Sequence, residues 1–284
     1  MIDVQFLSQL KRFHIIVNKR VTSSFTGSRR SISAGQGLVI SDFRPYTIGD
    51  DYRAIDWKVF ARTDDFFVKR YEEERNLAVH VLIDVSKSMD YGTSNITKFE
   101  YSSMIALGFA YLTARNNEKF NLTLISETSD YLRAKRSSNQ VLGFLNYLNK
   151  VKCKGVIHFD EEIKKYKNTI KSKSLIVIIS DFLYDIEMIK NSLYLFKNHE
   201  LRVIQVLDKS ETNFIVYGSL ELEDSETGKK METYMSERKR QEYREKMYHH
   251  ILSIEQETMS AGGKFFLFST EHPLFDAFYQ IVNT

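Results

Sequence analysis

A single cysteine, Cys153, stands in a chain of 284 residues. It has no partner for an intrachain disulfide, which excludes a disulfide-built secreted scaffold and fits a reducing cytoplasm. With no matched partner residue around it, the thiol reads as structural or incidental and not as a nucleophile. Proline is nearly absent: Pro45 and Pro273 are the two in the chain, and neither interrupts an apolar segment. No uninterrupted apolar run approaches the ~20 residues that a membrane-spanning helix requires. Asp3 comes early and no apolar core precedes Lys11, so the N-terminus lacks a signal-peptide pattern. Strong charge of one sign is missing too, the formal net charge being +3. Its distribution is less even. Residues 1–41 hold Lys11, Arg12, Lys19, Arg20, Arg29 and Arg30 against Asp3 alone. Such a leader could meet nucleic acid, an anionic surface or an acidic protein, but no base-stacking module accompanies it, so a solvated face is the favoured reading.

What the chain has is a regular rhythm. Hydrophobic residues make up 43% and charged residues 27%, enough apolar material for a substantial core. Residues 4–16 have the apolar spacing of a short helix or a helix followed by a strand, and 21–36 read as a loop. From residue 77 strands and helices alternate. Strands are predicted at 77–84, 120–125, 175–180 and 201–207, and helices at 99–115, 140–151, 159–171 and 186–198. Beyond 207, a hairpin flanks Asp224-Ser225-Glu226-Thr227-Gly228. A charged helix over 237–260 ends at Gly262-Gly263, and a strand at 264–268 and a helix at 274–282 follow. We read these last elements as a continuation of one sheet. Alternation of this kind predicts an α/β fold, a mainly parallel sheet flanked by helices.

Two strands end in carboxylates. Val81-Leu82-Ile83 runs into Asp84, and Ser86 and Ser88 follow at alternate positions; Ile178-Ile179-Ser180 runs into Asp181. The C-terminal edge of a parallel sheet is where ligands bind in open α/β folds. Carboxylate and hydroxyl oxygens, without sulfur or imidazole, suit a hard cation such as Mg2+ or Mn2+. Asp84, Ser86, Ser88 and Asp181 are therefore the candidate metal residues. The plainer alternative is a polar turn that caps the following helix.

Asp84-x-Ser86-x-Ser88 with the later Asp181 resembles the metal-ion-dependent adhesion site (MIDAS) of the von Willebrand factor A fold. Upstream, Gly35-Gln36-Gly37, the run from Asp42 to Lys58 and Ala61-Arg62-Thr63 closely resemble the signature of a bacterial family, domain of unknown function 58. In that family the block precedes a von Willebrand A-like, Rossmann-like domain. The resemblance implies an N-terminal signature segment over 1–75 packed on a main domain over 76–284. It also implies a metal-dependent protein-interaction module, often working beside a MoxR-type AAA+ ATPase in assembly or maturation of other proteins. Members with N-terminal membrane helices are common; this chain has none, which implies a soluble, cytoplasmic form. One departure stands out: no threonine follows Gly155 where the family pattern has a ligand. His158, Thr128 and Ser129 are the nearest substitutes.

The signature block itself holds Arg44, Asp50, Asp51, Arg53, Asp56, Trp57 and Arg62. It could be a docking surface. The favoured reading is a structural clamp, an Asp/Arg network around Trp57 that holds the N-terminal segment to the sheet, because buried charges must be paired. Two other functions compete with an interaction module. Strand-end carboxylates also hold Mg2+ in phosphatases and nucleases, although Asp84-Val85-Ser86 lacks the second aspartate of a phosphoaspartyl enzyme, and no phosphate-binding or nucleophile-elbow motif is present. Nucleic-acid or anionic-surface binding through residues 11–30 is the other. The module is expected to be non-enzymatic.

Overall fold

The computed structural model describes residues 2–20, 34–72, 78–93, 95–116, 118–126, 130–133, 139–155, 158–212, 218–223 and 230–283. The chain divides into two compact units, one of Met1–Val21 with Leu77–Thr284 and the other of Thr22–Asn76. The first 21 residues thus group with the large unit, whereas the sequence reading assigns them to the signature segment. The reason is packing. Ile2, Phe6 and Leu10 are buried, Phe6 stacks on Phe275 at 6.0 Å, and Ile2 N–H donates to Asn149 Oδ1 at 2.8 Å.

In chain order the elements are α1 (Gln5–Arg20), β1 (Ala34–Pro45), α2 (Trp57–Thr63), β2 (Phe67–Glu72), β3 (Ala78–Asp84), α3 (Lys98–Arg115), β4 (Phe120–Ile125) and β5 (Asp130–Arg133). They continue with α4 (Asn139–Leu148), α5 (Phe159–Lys167), β6 (Ser174–Ser180), α6 (Ile186–Tyr194), β7 (Glu200–Leu207), α7 (Lys209–Thr212), β8 (Gly218–Glu223) and β9 (Lys230–Met235). The chain closes with α8 (Glu237–Ser260), β10 (Lys264–Ser269) and α9 (Leu274–Asn283).

The large unit is built on a six-stranded sheet in the order β10-β7-β6-β3-β4-β5. The first five strands run parallel, and β5 pairs antiparallel with β4 at the edge. Every residue of β6 is buried, as are all but the first of β3 and of β7. Strands this apolar need cover on both faces, which the intervening helices supply. The α/β class is therefore as the alternation predicts, and the single antiparallel edge strand is an addition. Strand β10 joins the sheet, but β8 and β9 form a separate two-stranded antiparallel ribbon. Their continuation of the main sheet is thus corrected. Ser219, Glu221 and Glu223 alternate with Leu220 and Leu222, a pattern suited to a two-stranded ribbon but not to a strand buried on both faces.

Helix α3 starts on a capping box: Thr97 Oγ1 accepts from Glu100 N–H at 3.2 Å and the Glu100 carboxylate accepts from Thr97 N–H at 3.4 Å. This reciprocal pairing satisfies two orphan donors, and it puts Lys98 in the first helical turn, facing inward. Helix α8 ends as its glycines predict. Gly262 has φ +76°, Gly262 N–H bonds Met259 O at 2.9 Å, and Gly263 N–H bonds Thr258 O at 2.9 Å, the Schellman pattern.

Candidate docking and cation site

Strands β7, β6 and β3 are neighbours, and each delivers an aspartate to the C-terminal edge: Asp208, Asp181 and Asp84. All three are buried. A buried carboxylate needs donors, and the surrounding loops supply them.

Asp84 accepts three hydrogen bonds. Ser86 N–H reaches Oδ1 at 2.8 Å, while the hydroxyls of Ser180 and Tyr184 reach Oδ2 at 2.6 and 2.8 Å. Burial, and after it the negative charge of Asp181, pushes the Asp84 carboxyl above its ordinary range, and these three bonds offset the push only in part. The Tyr184 hydroxyl is held far above its usual value, by burial first and then by Asp84, so it stays a donor. Its ring stacks on Phe159 at 5.0 Å. Above this floor the Ser86 and Ser88 hydroxyls lie 3.0 Å apart, with Ser86 buried and Ser88 partly open to solvent.

Asp181 is engaged differently. Lys98 Nζ, whose side chain has 0% exposure, lies 2.8 Å from Asp181 Oδ2 and 2.5 Å from Glu211 Oε1. Burial alone would drag the ammonium down, yet the charges of Asp181 and Glu211 raise it above an ordinary lysine. Glu211 is pushed up by burial, more than Lys98 pulls it down. Its other oxygen accepts from Asp208 N–H at 2.7 Å. The residue after Asp181, Phe182, sits at φ 51°, a left-handed conformation that is costly for an aromatic residue. Four contacts hold the turn: His250 Nε2–H donates to Phe182 O at 2.8 Å, Gln205 Nε2 donates to Asp181 O at 2.8 Å, Phe182 N–H donates to Ser180 Oγ at 2.9 Å, and Leu183 N–H donates to Asp181 Oδ1 at 3.4 Å.

Asp208 has the largest donor set. Thr93 N–H and Oγ1 bond it at 2.9 and 2.6 Å, Ser210 N–H and Oγ at 2.9 and 2.7 Å, and Thr270 Oγ1 at 3.2 Å. Burial would raise this carboxyl, but the donors, Thr93 foremost, hold it well below the usual carboxylate range. Asp208 is thus a pin that joins the loop after β3 to the ends of β7 and β10.

Of the residues expected to bind a metal, Asp84, Ser86 and Ser88 come together, and Asp181 is adjacent but paired with Lys98. Ligands about 2.1 Å from Mg2+ at right angles lie about 3.0 Å apart. The serine pair has that spacing, so it fits two neighbouring positions of an octahedron. Asp84, already accepting three bonds, fits a role through an intervening water. Among the described residues no group of three or more His, Cys, Asp or Glu side chains could hold a metal ion; the candidate rests on hydroxyls. The loop expected to bring a threonine does lie beside it, with Lys154 N–H bonding Val85 O at 3.1 Å. His158 is exposed at the start of α5, and Thr128 and Ser129 lie outside the described residues.

Lys98, Tyr184, Asp208 and Glu211 were not expected from the sequence. Val206-Leu207-Asp208 repeats the strand-to-aspartate pattern of Asp84 and could have been read the same way. The Thr97–Glu100 box places Lys98 on a helix but not against Asp181. No linear signal points to Tyr184 or Glu211.

The signature block, expected to form an Asp/Arg clamp around Trp57, lies in the small unit. Trp57 is 58% exposed. Arg44 holds Asp50 with two bonds, Nη1 to Oδ2 at 2.7 Å and Nη2 to Oδ1 at 2.6 Å, which keeps the Asp50 carboxyl well below its usual range. Asp51 and Asp56 cap helix starts: Asp51 accepts from Arg53 N–H at 2.9 Å, and Asp56 from Lys58 and Val59 N–H at 2.9 and 3.3 Å. An aspartate directly before a short helix is a favoured cap. The Arg53 guanidinium lies 5.7 Å from the Tyr52 ring centre. Arg62 lies in the last turn of α2, where a cation complements the helix dipole. Of the basic leader, Lys11 and Arg12 are exposed on α1, and Arg29 and Arg30 lie outside the described residues.

A mainly parallel sheet with one antiparallel edge strand, carrying Asp-x-Ser-x-Ser at the end of a central strand, defines a von Willebrand A-like domain. The chain matches the family described as "Protein of unknown function DUF58" over residues 42–252, and it belongs to that family. Uncharacterized protein Rv1480 of Mycobacterium tuberculosis is 23% identical over 230 residues, 80% of this chain and 73% of the relative. Among solved structures, the conserved hypothetical protein BatB from Bacteroides thetaiotaomicron is similar over 72% of this chain and 97% of its own, with 13% identity and a TM-score of 0.45. The SpRpn10 VWA domain is similar over 71% and 93%, with 15% identity and a TM-score of 0.42. No helix among the described residues is long and apolar enough to cross a membrane.

Proposed function

We propose that this chain is a non-enzymatic, cytoplasmic protein-interaction module that docks through the C-terminal edge of its sheet, with a divalent cation at the loop after β3. The observation that carries the reading is the Ser86–Ser88 hydroxyl pair, 3.0 Å apart, over a carboxylate already fixed by three donors. Ser86 and Ser88 would hold Mg2+ or Mn2+ directly and Asp84 through water. The cation supplies an open position that an acidic side chain of a partner can fill, which makes association conditional on metal and on partner geometry. Ser88 and the neighbouring Lys87, Asp90 and Tyr91 are partly or fully exposed, so a partner can reach the loop. A MoxR-type AAA+ ATPase is the partner that the family resemblance suggests. A hydrolytic role is disfavoured because Asp84 already accepts three hydrogen bonds and Asp181 is held by Lys98, so neither strand-end carboxylate is poised as a general base.

The test is a thermal-unfolding titration with Mg2+ and Mn2+ on the wild type and on Ser86→Ala/Ser88→Ala. A cation at 100 times its dissociation constant stabilises the folded state by ~2.7 kcal/mol. A saturable rise in the wild type, lost in the variant, supports the reading; equal behaviour of the two proteins removes the cation from it. Co-purification with a MoxR-type ATPase in Mn2+ but not in chelator would support the partner assignment, and equal capture in both would count against a metal-dependent contact.

A further inference from the structure

Lys98 has a position that a structural lysine rarely takes. Its side chain is completely buried, it projects from the first turn of α3, and it lies between two carboxylates from different elements. Asp181 Oδ2, at the end of β6, is 2.8 Å from Nζ, and Glu211 Oε1, on α7, is 2.5 Å away. Buried charge on this scale requires compensation. The ammonium thus compensates Asp181 and Glu211 together, and Asp84 is close enough to Asp181 to be raised by its charge.

We infer that Lys98 is the resident counter-cation of this site and that a divalent cation on the serine loop must compete with it for Asp181. This inference rests on the cation reading above. With Lys98 on Asp181, the loop offers a cation only the serine hydroxyls and a water-mediated Asp84, a weak set of ligands for Mg2+ or Mn2+. With Lys98 drawn off, Asp181 adds a second negative charge. Glu211 sets the balance, since it shares the ammonium and draws it away from Asp181. Lys98 therefore acts as a positioning residue that lowers and tunes cation affinity without touching the cation.

The competition makes two predictions of opposite sign for Mn2+ binding to the full chain, measured by calorimetry. Lys98→Met frees Asp181 and should bind Mn2+ at least tenfold more tightly than wild type. Glu211→Gln leaves the ammonium wholly to Asp181 and should bind severalfold more weakly. Asp181→Asn in the Lys98→Met background should abolish the gain. Circular dichroism and a thermal melt establish that each variant is folded. If Lys98→Met does not fold, Glu211→Gln decides the matter, unchanged or tighter binding overturning the competition. A wild type that binds through Ser86 and Ser88 beside a folded Lys98→Met of equal or weaker affinity overturns the inference and leaves the cation reading standing. If neither wild type nor Lys98→Met binds Mn2+, the cation reading falls and takes the inference with it.

Discussion

Ser180 donates its hydroxyl to Asp84 Oδ2 across 2.6 Å, which ties together the ends of two adjacent parallel strands. The bond lies in a buried site where the Asp84 carboxyl is raised by burial and by the charge of Asp181. A raised carboxyl makes the folded chain bind a proton more readily than the unfolded one. That contribution to stability is fully present below the unfolded value of about 3.9, and it is lost as pH rises through the folded value.

The unfolding free energy of the wild type, measured with urea in the presence of a chelator, should therefore carry a falling component as pH rises above ~4. One such group contributes at most about 1.4 kcal/mol per pH unit. Asp84→Asn should lack this component, whatever its absolute stability, so the quantity to compare is the slope. Glu211 is also raised and contributes in the same sense, so only the difference between the two proteins belongs to Asp84. Parallel slopes would remove Asp84 as the source.

Asp208 should matter for stability more than for binding. It collects bonds from Thr93, Ser210 and Thr270, and a buried charged group with that many donors leaves several unpaired when it is removed. Asp208→Ala should cost ~3 kcal/mol in urea unfolding. Thr93→Val should cost less, and the pair should show a coupling of ~1 kcal/mol in a double-mutant cycle. Additive losses would mean that Thr93 and Asp208 are not the pin described above.

The sequence makes the sheet legible because β3, β6 and β7 are buried on both faces, which writes them as short apolar runs that end in aspartate. The same rule finds Asp84 and Asp181. It covers Asp208 as well, where Val206-Leu207 runs into the third aspartate. Strand β5, four residues long at a sheet edge, carries too little apolar signal to be seen. The β8–β9 ribbon stands apart from the main sheet, as the polar–apolar alternation of residues 219–223 suits a ribbon better than a strand covered on both faces. Lys98 escaped for a chemical reason: a lysine beside a threonine–glutamate cap reads as a solvated first-turn residue. Its two carboxylate partners are 83 and 113 positions away. In the signature block, Arg44 and Asp50 form the ion pair that opposite charges suggest, and Asp51 and Asp56, directly before short helices, stand where caps belong.

Helix α3, which bears Lys98, is held close to α9 by the absence of a side chain at Gly108. A Cβ there would lie 2.8 Å from Phe278 Cε2 and 2.9 Å from Cζ. Phe278 is buried and meets Phe109 edge-on at 5.2 Å, so its ring has little room to withdraw. Alanine gains ~1 kcal/mol of helix propensity over glycine, against ~1–3 kcal/mol for overpacking a core. Gly108→Ala should therefore lose ~1 kcal/mol net in urea unfolding, and Phe278→Leu should relieve the clash in the double variant. A stabilised Gly108→Ala would show that the helices separate freely.

Cys153 should be inert in the folded chain. The residue is buried, and burial, followed by the charges of Asp90 and Asp84, pushes its thiol well above the ordinary cysteine range. Reaction with a disulfide reagent needs the thiolate and access to it, and this environment withholds both. At pH 8 the native protein should react with Ellman's reagent roughly 100-fold more slowly than the urea-unfolded chain. The folded rate should also follow local opening, falling wherever a condition stabilises the loop before Gly155. A fast native reaction would place the thiol at the surface, and it would reopen the cysteine as a functional group beside the serine pair.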